Sequence, residues 1–219
     1  NITKEYINIL KDEIGLTDFY GETALMFLCS NKTAILKKEI IEMLYDEIGM
    51  QDNSGETALM KYMKYRNNNE IDLEIIKSLS KEIGIRDKYN YNVLYDYLTS
   101  TNTPDENIVK ILSKEIDGTI YFHGSLLMIY CKQHFEEFNL NILKFFKDEI
   151  GIQTKNGDTA LMLCMIYRSS FVTPEVIKFF KDEIGIQTKN GKTALMIYME
   201  NIDDFINPEV IKSLSSEIG

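Results

Sequence analysis

Apolar positions recur along this chain with the rhythm of short helices. In one class of segment they fall at i, i+1, i+4 and i+5, as in Ala24, Leu25, Leu28 and Cys29, or Ala160, Leu161, Cys164 and Met165. A second class carries Ile75, Ile76, Leu79 and Ile83, or Val176, Ile177, Phe180 and Ile184. Residues so spaced share one face of an α-helix. Three positions before the first apolar residue of the second class stand Thr3, Asp72, Asp105, Asn139, Thr173 and Asn207. Their side-chain oxygens can accept from the free amides of a first helical turn. Pro174 and Pro208 follow directly, at the position where a missing N–H costs nothing. Lys37 stands in the cap position once, which predicts an earlier start near Thr33 for that helix.

The two classes alternate in constant phase. Glu-Ile recurs at Glu13, Glu47, Glu82, Glu115, Glu149, Glu183 and Glu217, with gaps of 34, 35, 33, 34, 34 and 34 residues. Gly follows at Gly15, Gly49, Gly84, Gly151, Gly185 and Gly219, with Asp117 as the exception. Eight residues past that Gly begins Thr-Ala-Leu-Met, from Thr23, Thr57, Thr159 and Thr193, with degenerate copies at Asn92 and Ser125. Two residues before the Thr lies Gly21, Gly55, Gly157 or Gly191, and once Asn90. Gly and Asn tolerate a positive φ, so a tight reversing turn precedes each helix of the first class. The pattern predicts an all-α helical-repeat solenoid with a period of about 34 residues. A partial outer helix over 1–14 precedes repeats at about 15–48, 49–83, 84–116, 117–150, 151–184 and 185–219, in a single array over 1–219.

The phrases QDNSGETALM, TKNGDTALM and TKNGKTALM resemble the ankyrin repeat, whose consensus runs Asp, two spacers, Gly, one spacer, then Thr-Pro-Leu-His. Asp18, Asp52 and Asp87 match the Asp, with Thr154 and Thr188 in its place later. Ala replaces the consensus Pro, and Met replaces the His in five of six repeats. The family's small Ala five residues after the Thr becomes Tyr62, Tyr97, Tyr130 and Tyr198, which should push the helices apart or splay their packing. The resemblance spans nearly the whole chain and implies a divergent ankyrin-like stack. The tetratricopeptide repeat shares the period, but its Trp, Leu-Gly and Tyr landmarks are missing, and the chain has no Trp.

Composition narrows the chemistry. The 219 residues hold 24 Lys plus Arg against 34 Asp plus Glu, a net charge of −10. Such a chain has no general attraction to nucleic-acid phosphates or anionic lipid. The longest apolar run, Ala160 to Tyr167, is far shorter than the roughly 20 residues of a spanning helix. Cys29, Cys131 and Cys164 are odd in number, far apart and set among apolar residues, which predicts buried reduced thiols and an intracellular, cytoplasmic setting. His123 and His134, the two histidines, fall in turns or loops. No phosphate cradle, metal-ligand spacing or nucleophile motif is present, so no catalytic, metal or cofactor residue is expected. The Asp-Glu pairs, such as Asp148-Glu149 and Asp182-Glu183, read as solvated helix ends. Met26, Met60, Met128, Met162 and Met196 read as core or near-core filler.

Repeat stacks of the ankyrin type resemble proteins that bind other proteins through turn tips and inner helices. The expectation is a monomeric, non-enzymatic protein-binding scaffold or adaptor, with an unidentified protein as partner. The alternatives are the targeting arm of a longer enzyme, such as a kinase or a ubiquitin-ligase subunit, and a self-assembling rod. The candidate binding residues are the aromatics of the turn tips, Phe19, Tyr20, Tyr89, Tyr91, Tyr121 and Phe122. To them are added the residues four positions past the cap, Phe27, Lys61, Asp96 and Ile129. Tyr89, Tyr91, Tyr121 and Phe122 are the expected anchors, because aromatic rings on protruding sites supply much of the energy of protein interfaces.

Overall fold

The computed structural model describes residues 11–133, 138–201 and 206–215. Twelve α-helices occupy them, in the predicted alternation. The inner helices are α1 (Ala24–Ser30), α3 (Ala58–Tyr65), α5 (Val93–Ser100), α7 (Leu126–Lys132), α9 (Ala160–Arg168) and α11 (Ala194–Glu200). The outer helices are α2 (Lys38–Met43), α4 (Leu73–Ser78), α6 (Glu106–Leu112), α8 (Leu140–Phe145), α10 (Pro174–Phe179) and α12 (Pro208–Ser215). Among the described residues there is no strand, only an isolated bridge between Tyr121 and Gly124. The expected outer helix over 1–14 lies mostly outside the described residues, as do Thr3, His134 and Glu217.

The chain divides into two compact units, Asn1–Glu115 and Ile116–Gly219. In the first unit α1, α3 and α5 stack in series, and α2 packs on α4. In the second, α7, α9 and α11 stack in series, and α10 packs on α12. Leu25, Leu59, Leu94, Leu127 and Leu161 are fully buried, one from each of the first five repeats. Helices of six to nine residues are too short to hold themselves together, so this packing supplies their stability.

The inner helices begin where the sequence places them. Thr23, Thr57, Asn92, Ser125, Thr159 and Thr193 are N-caps whose side chains accept the amide three residues on. Asp105, Asn139 and Thr173 cap the outer helices in the same way, and Asp72 caps α4 by accepting the Glu74 amide, two residues on. The predicted start near Thr33 is corrected. That helix begins at Lys38, and its cap residue Lys37 makes no side-chain capping bond. Asn31 holds Thr33 in the preceding loop instead, accepting from its amide at 2.9 Å and its hydroxyl at 2.8 Å.

The Glu of the Glu-Ile landmark is not a solvated helix end in five of its six described copies; Glu13 is exposed. Glu47, Glu82, Glu115, Glu149 and Glu183 are buried, while Asp46, Asp148 and Asp182 beside them are exposed. Each Oε2 accepts the amide of the inner-helix Leu of its own repeat: Leu25, Leu59, Leu94, Leu127 and Leu161, at 2.6–2.7 Å. Oε1 of Glu47, Glu82, Glu115 and Glu183 accepts from Gly15, Gly49, Gly84 and Gly151, where the same repeat begins. The last acidic residue of a repeat thus ties its start to its inner helix. The fourth repeat departs from this rule. With Asp117 in the Gly position, Glu149 Oε1 is buried with no partner in hydrogen-bond geometry, although the Gly118 amide is near enough to favour its charge.

The tyrosines at the family's Ala position have a defined place. Tyr62, Tyr97, Tyr130 and Tyr198 are buried to the ring, and each hydroxyl accepts the amide of the outer-helix cap residue of its own repeat. The acceptances are from Asp72 at 2.9 Å, Asp105 at 2.7 Å, Asn139 at 3.2 Å and Asn207 at 3.2 Å. A longer side chain here spans the core and fastens the loop between the two helices. Met26, Met60, Met128 and Met162 are buried as expected, but Met196 is half exposed. The Met128 and Met162 sulfurs accept the amides of their caps, Ser125 and Thr159. The three thiols are free and buried.

Candidate functional site

The turns are built alike, which fixes where their tips project. In the N-terminal unit an Asp opens each turn and one of its carboxylate oxygens accepts two amides. Asp18 takes those of Tyr20 and Glu22, Asp52 those of Ser54 and Glu56, and Asp87 those of Tyr89 and Tyr91, all at 2.7–2.9 Å. Thr154 does the same for Asn156 and Asp158 with its hydroxyl, which explains the exchange of Asp for Thr. Successive turns are joined by backbone bonds, Asn53 N to Tyr20 O at 2.9 Å and Lys88 N to Ser54 O at 3.0 Å. Asn90 takes the positive φ of 68° that Gly takes in the other turns.

This frame sorts the candidate residues. Phe19, 90% exposed, and Tyr20, Phe27, Tyr89 and Phe122 stand in solvent. Tyr91 is half-buried, its ring stacked on Tyr95 with centroids 3.9 Å apart. Four candidates are buried rather than exposed. Tyr121, only 6% exposed, forms the base of a two-residue hairpin with Gly124, so Phe122 and His123 make that tip instead. Ile129 is buried with the apolar frame.

Lys61, the third of these, is 4% exposed. Its amine lies 2.6 Å from Glu22, 2.8 Å from Asp52 and 3.3 Å from Glu56. Burial alone would lower the pKa of this amine, but the surrounding carboxylates hold it above the ordinary lysine value. Asp52 in turn stays below the ordinary carboxylate value: burial opposes this, and the Lys61 bond, the two turn amides and the Lys61 charge outweigh it. Lys61 therefore ties the first turn to the second.

Asp96, the fourth, is 8% exposed and lies in the wall of a cavity of 450 Å³ between the second and third turns of the N-terminal unit. Tyr89, Tyr91 and Tyr95 line this cavity with Ser54, Glu56, Lys64, Asp87 and Thr99. Burial pushes the Asp96 carboxyl up to about 7, with Glu56, Asp87 and Glu115 adding repulsion and Lys64 opposing. The sequence marked Asp96, Tyr89 and Tyr91 separately. It gave no sign that they share a cavity, because Glu56 and Lys64 enter it from the preceding repeat.

Among the described residues no group of three or more His, Cys, Asp or Glu is placed to hold a metal ion. No described helix is long and apolar enough to cross a membrane.

Two solved structures share this arrangement. One is the ankyrin repeat domain of Bcl-3, a member of the IkappaB family, at 14% identity and a TM-score of 0.61, covering 96% of this chain and 90% of that one. This chain has the ankyrin-repeat fold. The ankyrin-type stack also matches a chain in the complex of the predatory endopeptidase Bd0816 from Bdellovibrio bacteriovorus with the immunity protein Bd3460. The identity there is 20% and the TM-score 0.61, covering 90% of this chain and 99% of that one. At such identities the likeness concerns the fold alone. No family model matches the sequence, and no curated protein does. Ala for Pro and Met for His in the ankyrin signature account for a repeat that is clear in three dimensions and faint in sequence.

Proposed function

We propose that this ankyrin-repeat chain is a non-enzymatic protein-binding module whose contact face is the set of turn tips and inner helices. The observation that carries this reading is the placement of large rings on the N-terminal unit. Phe19, Tyr20 and Tyr89 project from turns held rigid by Asp-amide bonds and turn-to-turn backbone bonds. Phe27 lies exposed on α1, whose helix follows the first of those turns. Rings on a fixed frame lose little entropy on binding, which suits them to anchor a partner. Exposed apolar rings also cost solubility, so their presence on pre-formed turns favours a role in contact over one in folding.

The test starts with crosslinking capture from the source cell, identification of the captured protein and measurement of its affinity in purified form. Phe19→Ala, Tyr20→Ala and Tyr89→Ala combined should weaken binding by about thirtyfold, equivalent to roughly 2 kcal/mol, and leave the melting temperature unchanged. An unchanged dissociation constant would overturn the proposed face.

A further inference from the structure

The cavity between the second and third turns of the N-terminal unit holds a carboxylate with nothing to bind. Asp96 is more than nine-tenths buried and lines the cavity. Among the described residues no hydrogen-bond donor reaches its carboxylate; the charges around it act only at a distance. The cation on its own side, Lys64, is engaged elsewhere, 2.5 Å from Glu56 Oε1. Glu56 Oε2 is taken by Lys61. Asp87 spends one oxygen on the Tyr89 and Tyr91 amides. Asp96 is thus the acid of this cavity whose carboxylate has neither an amide nor a cation on it, and burying it unpaired is costly unless something supplies a counter-ion.

The remaining wall suits one kind of guest. Tyr89 and Tyr91 stand with ring centroids 6.3 Å apart and planes inclined by 39°, and Tyr91 stacks on Tyr95. Aromatic faces attract a cation and pack against an alkyl stem. A carboxylate and three tyrosine rings lining 450 Å³ of space match a long side chain ending in positive charge. We propose that this cavity takes a single lysine or arginine side chain from an extended segment of the partner protein, with Asp96 as its counter-ion and the Tyr89 and Tyr91 rings along its stem. The inference rests on the protein-binding reading and adds the chemistry that the partner must present.

The site carries its own pH dependence. The groups that bear on Asp96 are Lys64 from α3, Glu56 and Asp87 from the turns, and Glu115 from the end of the third repeat. Their balance, with burial dominant, leaves Asp96 half-protonated near neutrality. Only the ionised form pairs with a cation, so affinity should rise about tenfold between pH 6 and pH 8.

The experiment is an NMR titration of the full chain with N-acetyl-lysine methylamide, N-acetyl-arginine methylamide and, as neutral control, N-acetyl-glutamine methylamide. The expected result is shifts confined to residues 54–64 and 87–99 with a cationic probe only. Lysine and arginine probes compared side by side show which head group fits. Asp96→Asn should weaken the effective probe at least tenfold, and Tyr89→Ala about threefold. Tyr89 is an exposed tip, and the pH series uses the unaltered chain, so neither arm depends on Asp96→Asn folding. Equal shifts from the neutral probe, shifts mapping elsewhere, or affinity flat from pH 6 to 8 would overturn the proposal. Should the cationic probes fail while the partner still needs Phe19, Tyr20 and Tyr89, the cation reading falls alone. Should they bind while the partner ignores those rings, the docking face falls instead.

Discussion

Glu82 Oε2 accepts the Leu59 amide at 2.6 Å, across 23 residues of sequence, and this bond closes the second repeat on itself. The other oxygen accepts the Gly49 amide at 2.9 Å, and the Thr57 hydroxyl bonds the same carboxylate. Glu82→Ala would leave the buried Leu59 amide and the part-buried Gly49 amide without acceptors and should cost about 2–4 kcal/mol in urea denaturation. Glu82→Gln keeps one acceptor oxygen and should cost less. Glu149→Gln should cost least, because Glu149 Oε1 already lacks a partner. Equal losses for all three would show that these carboxylates act only as volume.

The acidic core sets an unusual pH profile. Burial raises the carboxyls of Glu82, Glu115, Glu149 and Glu183, with the amides they accept pulling back only in part, and Asp96 is raised to about 7. A carboxyl raised on folding binds its proton more tightly in the folded state. The stability it contributes is full below its unfolded value of about 4 and is lost as pH rises through the folded value. For Asp96 the loss runs from about pH 4 to about pH 7. Asp96→Asn should therefore flatten this part of the profile and leave the chain about 1–3 kcal/mol more stable than the wild type at pH 8. Melting curves at half-unit steps of pH decide it, and parallel profiles for the two proteins would refute it.

Tyr97 combines a buried ring with a hydroxyl that accepts the Asp105 amide at 2.7 Å. Tyr97→Phe removes the acceptor and keeps the ring, so it should cost about 1–2 kcal/mol. Tyr97→Ala also opens a cavity and should cost about 3–5 kcal/mol. Amide hydrogen exchange at Asp105 should accelerate in both variants. Exchange unchanged in Tyr97→Phe would mean the hydroxyl does not hold the loop.

Two glycines of the second repeat separate strain from crowding. Gly49 has φ +91° with open space where a Cβ would sit, and Gly55 has φ +81° with the Lys88 amide nitrogen 2.7 Å from that place. Gly49→Ala should cost about 1 kcal/mol for the left-handed backbone alone. Gly55→Ala carries the same strain and must also push the third turn away, so it should cost at least about 1 kcal/mol more. Chemical denaturation of the pair checks this, and equal costs would mean the turns are not in close contact.

Much of this fold could be read locally. The helices, their Thr, Asn, Ser and Asp caps, and the turn that accepts Gly or Asn depend on residues within a few positions of one another, and the sequence alone fixes them. The 34-residue period likewise follows from counting, and the tip aromatics Phe19, Tyr20, Tyr89 and Phe122 stand exposed because turn tips do. The sequence also held an unused clue to the buried acids. The residue before Glu changes among Asp12, Asp46, Lys81, Lys114, Asp148 and Asp182, while the Glu itself never changes. Tertiary structure decided most of the rest, because those outcomes depend on a group 20 or more residues away or on another turn, while the burial of Tyr121 turns on a local hairpin. Glu82 is buried because the Leu59 and Gly49 amides converge on it, and Lys61 is withdrawn from the surface because Glu22 and Asp52 arrive from two turns. Tyr121 is lost as an anchor because Gly124 closes a hairpin under it. Asp96 came to line a cavity only when the second and third turns stacked, since burial and charge belong to what surrounds a side chain rather than to the side chain itself.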